Sequence, residues 1–224
     1  MAAVTSAIVM CWPEVASAHG VSNRDAAFVR TVTGAAPAPF MYLGAKHMVT
    51  GYDHLLFLVG VIFFLYRTVD VVKFVSLFTL GHSLTLMIGV LANVPANAYI
   101  IDAIIGLSVV YKGFENIGGF ERVFRRRPDA RWAVFIFGLF HGLGLATKLQ
   151  DLALPANGLL ANLVAFNVGV ETGQVLALMG VLVAFTWWRT RHGFLRHAFA
   201  TNTILMVGGF ALLGYQLVGY FVNR

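Results

Sequence analysis

The sequence predicts an all-α fold, a polytopic membrane helix bundle of six transmembrane helices, and three observations predict it. Of the 224 residues, 58% are hydrophobic and 12% charged, against roughly 25% charged in a soluble domain. That is too little charge to clothe a water-facing surface, and the mean hydropathy of +0.77 agrees. Six apolar stretches approach or exceed the roughly 20 residues a helix needs to cross a bilayer. Finally, Arg and Lys fall in alternate connections between those stretches, the pattern of a chain held in one orientation. A net charge of +6 would suggest nucleic acid in a soluble chain; here topology accounts for it, and no nucleic-acid partner is expected.

The chain opens "MAAVTSAIVMCWPEVASAHG". A short apolar run, the helix breaker Pro13 and an A-x-A-like end at Ala16-Ser17-Ala18 read as a signal peptide over 1–18. Cleavage there makes His19 the terminal residue, whose amine and imidazole can chelate copper(II) as an external site. Residues 19–39, with Ser, Asn, Asp, Arg and two Pro, read as a periplasmic tail. The transmembrane domain covers 40–224.

The first span, 41–66, contains Gly51-Tyr52-Asp53. Gly permits a turn there and Asp53 is a good N-cap for the run from His54, so an interruption is predicted near Gly51. Broken helices at mid-membrane build ion sites in transporters. The second span is 71–93 and the third 98–117. The fourth, 132–149, is the shortest; the fifth, 158–188, is the longest, which predicts tilt. Trp187 and Trp188 close it with rings that favour the interface. The sixth, 198–221, has Asn202 and Gln216 but no ionisable residue in its middle, and reads as scaffold.

The first, third and fifth connections carry Arg67, Arg122, Arg125, Arg126, Arg127, Arg131, Arg189, Arg191 and Arg196. The second has no basic residue, and the fourth has Lys148 at its edge. The odd connections are therefore cytoplasmic, and both termini are periplasmic. An exported N-terminus is also what a signal peptide produces.

A charge at the bilayer centre costs at least a few kcal/mol, so each one needs a reason. Counted from the span ends, Asp53 and His54, His82, His141 and Glu171 fall near the middle of four different spans. Residues three, four and seven apart share a helix side. His47, Gly51 and His54 form one such row, and Asn167, Glu171 and Gln174 another. Ser76, Thr79 and Ser83 line up in the second span, and Ser108, Tyr111 and Glu115 in the third, where Lys112 is placed to pair with Glu115. The candidate metal ligands are His47, Asp53, His54, His82, His141 and Glu171, with Asn167, Gln174, Ser83 and Glu115 in support. Imidazole and carboxylate suit nickel, cobalt, zinc, copper(II) or iron(II), while the single Cys11 offers no thiolate site. The other reading of these residues is a hydrogen-bonded helix break with its histidines satisfied by neighbours.

"HMVTGYDH" resembles the H-x5-D-H motif of the HupE/UreJ family of membrane proteins. "FTLGHSLTL", "IIGLSVVYKGFEN", "FGLFHGLGLA" and "FNVGVETGQ" are similar to successive helices of the second HupE/UreJ-like branch, in order from Phe40 to about Gln174. The resemblance implies a protein of the bacterial inner membrane concerned with nickel supply to hydrogenase and urease. The nickel-permease pattern F-H-G-x-A-H-G-x-E survives only as Phe140-His141-Gly142, with no second His and no Glu, so the ion stays open. The expected function is a permease for a divalent transition-metal cation. A noncatalytic or metal-delivery subunit of a larger metalloenzyme complex is one alternative. An intramembrane metalloenzyme is the other, although no H-E-x-x-H is present. No phosphate-binding loop occurs either, so transport would be secondary or facilitated. The lipid bilayer, the ion and a complex or homo-oligomer are the expected partners.

Overall fold

The computed structural model describes residues 23–152, 154 and 156–223. The expected signal peptide and His19 lie outside the described residues. Among these, the chain forms nine helices and no strand: α1 (Asn23–Thr31), α2 (Pro37–Thr50), α3 (Tyr52–Ile62), α4 (Thr68–Leu91), α5 (Ala98–Asn116), α6 (Gly119–Phe124), α7 (Ala130–Gln150), α8 (Leu159–Arg189) and α9 (Phe194–Val222).

Four helices, α4, α7, α8 and α9, are long and apolar enough to cross a membrane. The 31 residues of α8 extend about 46 Å at 1.5 Å per residue, beyond a hydrocarbon core of about 30 Å. Their outer faces carry the apolar surface expected against lipid, with Val183, Leu195, Ile204 and Val222 each more than 70% exposed. The other two predicted spans are of a different kind. The first is two half-helices that meet at Gly51, α2 with 14 residues and α3 with 11, neither long enough to cross alone. The third, α5, has 19 residues and carries Asp102, Lys112 and Glu115 within it.

The break forms as predicted near Gly51, but by a different device. Gly51, not Asp53, occupies the N-cap of α3, and no side chain caps that end. The Gly51 N–H donates to the His47 carbonyl and its own carbonyl accepts from Leu55, so one residue closes α2 and opens α3. Asp53 lies inside the first turn, where a carboxylate opposes the positive end of the helix dipole.

Three helix pairs make the scaffold: α2 with α8, α4 with α7, and α5 with α9. Each is closed by glycines that bring backbone onto backbone. A Cβ on Gly44 or Gly169 would strike the facing carbonyl of Phe166 or Met41, joining α2 and α8. Gly138 meets Phe78 and Gly142 meets His82 in the same way between α4 and α7. Gly106 and Gly209 do so between α5 and α9. Without a hydrophobic drive between helices in lipid, this close packing is what holds them. Thr85 Oγ1 adds a 2.6 Å bond to the Leu139 carbonyl across α4 and α7.

The half-helix α3 lies among the pairs and buries Asp53, His54, Phe57, Leu58, Gly60, Val61 and Ile62. Its far end is held by Arg189, whose guanidinium donates to the carbonyls of Ile62, Phe63 and Leu65 at 2.6, 2.7 and 3.0 Å. These are among the carbonyls a helix end leaves without partners. Asn116 donates at 2.8 Å both to the Gly60 carbonyl and to Asn202 Oδ1, tying α3, α5 and α9 together. Within the described part of the predicted tail, Val29 is buried, and Asn162 grips the Gly34–Ala36 backbone through both its side-chain atoms.

Candidate metal centre

Four helical segments each bring one imidazole to the same place. His47 comes from the last turn of α2, His54 from the first turn of α3, His82 from the middle of α4 and His141 from the middle of α7. His54 is the hub. Its ring centre is 4.9 Å from that of His141, 5.1 Å from His47 and 5.8 Å from His82, each pair edge to face. His54, His82 and His141 are buried to within 1% of complete.

The local fold explains why they meet. The break at Gly51 turns His54 inward at the start of a buried half-helix. A Cβ at Gly51 would lie 3.1 Å from His54 Nδ1 and 3.2 Å from Asp53 Oδ1, so the bare residue gives both side chains room. The contact of Gly142 with the His82 backbone carries α7 hard against α4, which sets His82 and His141 side by side. Aromatic rings wall the group: Phe57 lies 5.3 Å and Phe78 5.1 Å from the His141 ring.

Two of the rings have an assigned polarity. His141 Nδ1 lies 2.8 Å from the Phe137 carbonyl, which can only accept, so Nδ1 carries the proton and Nε2 the lone pair. His54 Nδ1 lies 3.1 Å from Asp53 Oδ1, which as a carboxylate assigns His54 likewise. Such bonds orient and strengthen imidazole ligands of metals. Both ring nitrogens of His82 are buried and without a hydrogen-bond partner, a costly state for a polar ring that accepts nothing and donates to nothing.

Spacing and orientation differ in what they offer a metal. Two imidazoles on one tetrahedral metal at about 2.0–2.1 Å set their ring centres about 5 Å apart, close to the separations here. Yet among the described residues no group of three or more His, Cys, Asp and Glu presents its donors ready to hold an ion. The spacing of these rings suits an ion, while their donors do not already form a site for one.

The remaining candidates lie elsewhere. Glu171 is exposed on α8, and no hydrogen bond or ion pair joins it to the imidazoles. With Ser83, Gln174, Ser76 and Thr79 it lines a cleft of about 530 Å³ between α4 and α8. There Thr79 donates to Gln174 Oε1 at 2.8 Å. Asn167 is buried and donates to the Leu163 carbonyl of its own helix. Glu115 pairs with Lys112 at 2.7 Å, as their spacing predicts.

Sequence reasoning passed over a second ion pair within the helix bundle. Asp102 of α5 is 3% exposed and receives Lys148 of α7 at 3.1 Å. The signal was present, since "AYIIDAIIG" sets an acid within an apolar run.

A family model described as HupE / UreJ protein matches residues 23–224. Comparison with curated proteins and with solved structures finds no match. The family match takes in every helix described above, including the broken pair that carries His47 and His54, and the chain belongs to the HupE / UreJ protein family.

Proposed function

We propose that the protein passes a divalent transition-metal cation across the bacterial inner membrane, with His47, His54, His82 and His141 as the transit site and Asp53 orienting or joining them. One observation carries this: the imidazoles of His47, His82 and His141, from three other helical segments, gather around His54, deep in a membrane bundle. An ionisable residue at that depth is costly and marks function by default. The donor set of imidazole, carboxylate and no thiolate suits nickel, cobalt, zinc, copper(II) or iron(II). The unpartnered nitrogens of buried His82 also fit a site that takes a cation. The ion is cargo, and no catalytic residue is assigned.

In this reading the paired half-helices α2 and α3 make one crossing and α5 another. Six crossings result, with both termini periplasmic and the Arg-rich connections cytoplasmic. Imidazoles lose protons to bind metal, so exchange of protons for the ion is the natural coupling. The cleft between α4 and α8 favours one second reading, an intramembrane metalloenzyme entered from the lipid.

Elemental analysis of detergent-purified protein, wild type beside His54→Ala, tests the site, and uptake into proteoliposomes tests passage. Metal bound by wild type, lost in His54→Ala and accumulated by vesicles supports transport. Bound metal without uptake selects the enzyme reading, or the accessory-subunit reading if a stoichiometric partner copurifies. No metal in wild type overturns the site.

A further inference from the structure

The Asp102–Lys148 pair stands outside the imidazole group and has no place in the reading above. Asp102 is 3% exposed and meets Lys148 Nζ through Oδ2 alone, at 3.1 Å. Its Oδ1 is buried with no hydrogen-bond partner. The carboxylate is thus half satisfied, inside a membrane bundle. Replacing such a buried pair by apolar residues is often neutral or stabilising, so packing alone gives no reason to keep it.

Its position gives one. His141, Gly144 and Lys148 fall at i, i+3 and i+7, on one face of α7. Gly144 is about 4.5 Å along the axis from His141, and Lys148 about 10 Å. A Cβ on Gly144 would lie 3.4 Å from Asp102 Oδ1. The open carboxylate oxygen therefore sits beside the helix face one turn from His141, between the imidazoles and the lysine. Lys148 is 23% exposed and hangs on a flexible four-carbon stem with a strongly hydrated head. It can withdraw toward the bundle end where α5 begins and α7 closes.

We propose that Asp102 is a second station for the divalent cation, one helical turn from the imidazole cluster, and that Lys148 is a tethered cation occupying it between transits. An arriving ion takes the carboxylate and releases the ammonium toward the mouth; when the ion moves on, Lys148 returns. The lysine keeps the carboxylate neutralised at rest, so no lone charge is left at depth. The Lys112–Glu115 pair differs. Its partners share one helix at i and i+3, with side chains 8% and 14% exposed, and it bonds locally without reaching across helices.

This inference rests on the transport reading. The test uses full-length protein in proteoliposomes, with nickel, cobalt and zinc offered separately and uptake measured with whichever ion wild type accumulates. Asp102→Asn should lower uptake at least about tenfold, a loss on the scale of removing a metal-site partner, while metal bound at equilibrium by the imidazoles stays near wild type. Lys148→Gln should lower the half-saturating concentration several-fold, because the built-in competitor is gone. A merely structural pair predicts no such gain. The double variant Asp102→Asn/Lys148→Gln has no unpaired charge and guards against misfolding; it should insert normally and still transport poorly. Wild-type uptake in Asp102→Asn or in the double variant, or an unchanged or raised half-saturation in Lys148→Gln, overturns the proposal and leaves the imidazole site standing. No uptake of any ion by wild type overturns the transport reading and this station with it.

Discussion

Asp53→Asn exchanges a charge for an amide at nearly constant volume. Asp53 is 0% and His54 1% exposed, and Oδ1 accepts a hydrogen bond from His54 Nδ1 at 3.1 Å. The carboxylate does two things at once. It holds the ring with Nε2 as its lone-pair nitrogen, and its negative charge favours a cation bound at that ring. Asn keeps an acceptor and loses the charge. Asp53→Ala loses both and strands a buried N–H. Outer partners of metal-binding His are worth about 10–100-fold in affinity, or about 1.4–2.8 kcal/mol. Asn should fall near the lower figure and Ala near the upper. Competition between purified protein and a chromophoric chelator measures the affinity, and circular dichroism checks that helix content is unchanged. Equal affinity in all three proteins refutes the role of Asp53. A loss far beyond about 100-fold in Asp53→Asn refutes it from the other side, because Asp53 would then be a direct ligand.

Glu171→Gln keeps size and hydrogen bonding and removes the titrating group on the α4–α8 cleft; because Glu171 lies apart from the imidazoles, insertion and metal flux should both be unchanged, with Thr172→Ser as control, and lost flux would put Glu171 on the path. Gly142→Ala drives a methyl into the His82 carbonyl and Thr85 Oγ1 and should cost about 1–3 kcal/mol, the usual range for overpacking, read as a lower melting temperature in detergent. Gly180→Ala, with nothing within 4 Å, should leave it unchanged. Arg189→Lys replaces a fork that spans three carbonyls of the α3 end with a point charge; thermal stability should drop, and an unchanged melting point would show that those carbonyls find other donors. Reporter fusions after Pro95 and Asn157 should report periplasm and those after Arg127 and Arg191 cytoplasm, since the Arg bias sets orientation; a cytoplasmic signal at Pro95 reverses it.

Position along a predicted span could be counted from sequence. His54, His82 and His141 were each placed near mid-span, and the fold brings their rings together. Angle around a helix was legible less well. Asn167 and Gln174 are seven residues apart and both face inward, at 9% and 1% exposure. Glu171 between them is rotated about 40–60° from either at 100° per residue, enough to put it on the outer side. The break at Gly51 was readable because glycine and a polar cluster coincide there, but which residue caps it depended on backbone geometry. Asp102 and Lys148 lie some forty-six positions apart, and only the packing of α5 on α7 makes them a pair.

The glycine contacts join the helices of each pair backbone to backbone, and the pairs touch one another more sparsely. The imidazoles are distributed across those boundaries. His47 belongs to the α2–α8 pair, His82 and His141 to the α4–α7 pair, and His54 to the half-helix wedged between them. An ion gripped by all four rings would act as a rivet through two plates and a shim. Its arrival and departure would then be mechanical events, setting how freely the plates slide. Occupancy and shape become one variable, since a ligand shifts a conformational equilibrium by its difference in affinity for the two forms.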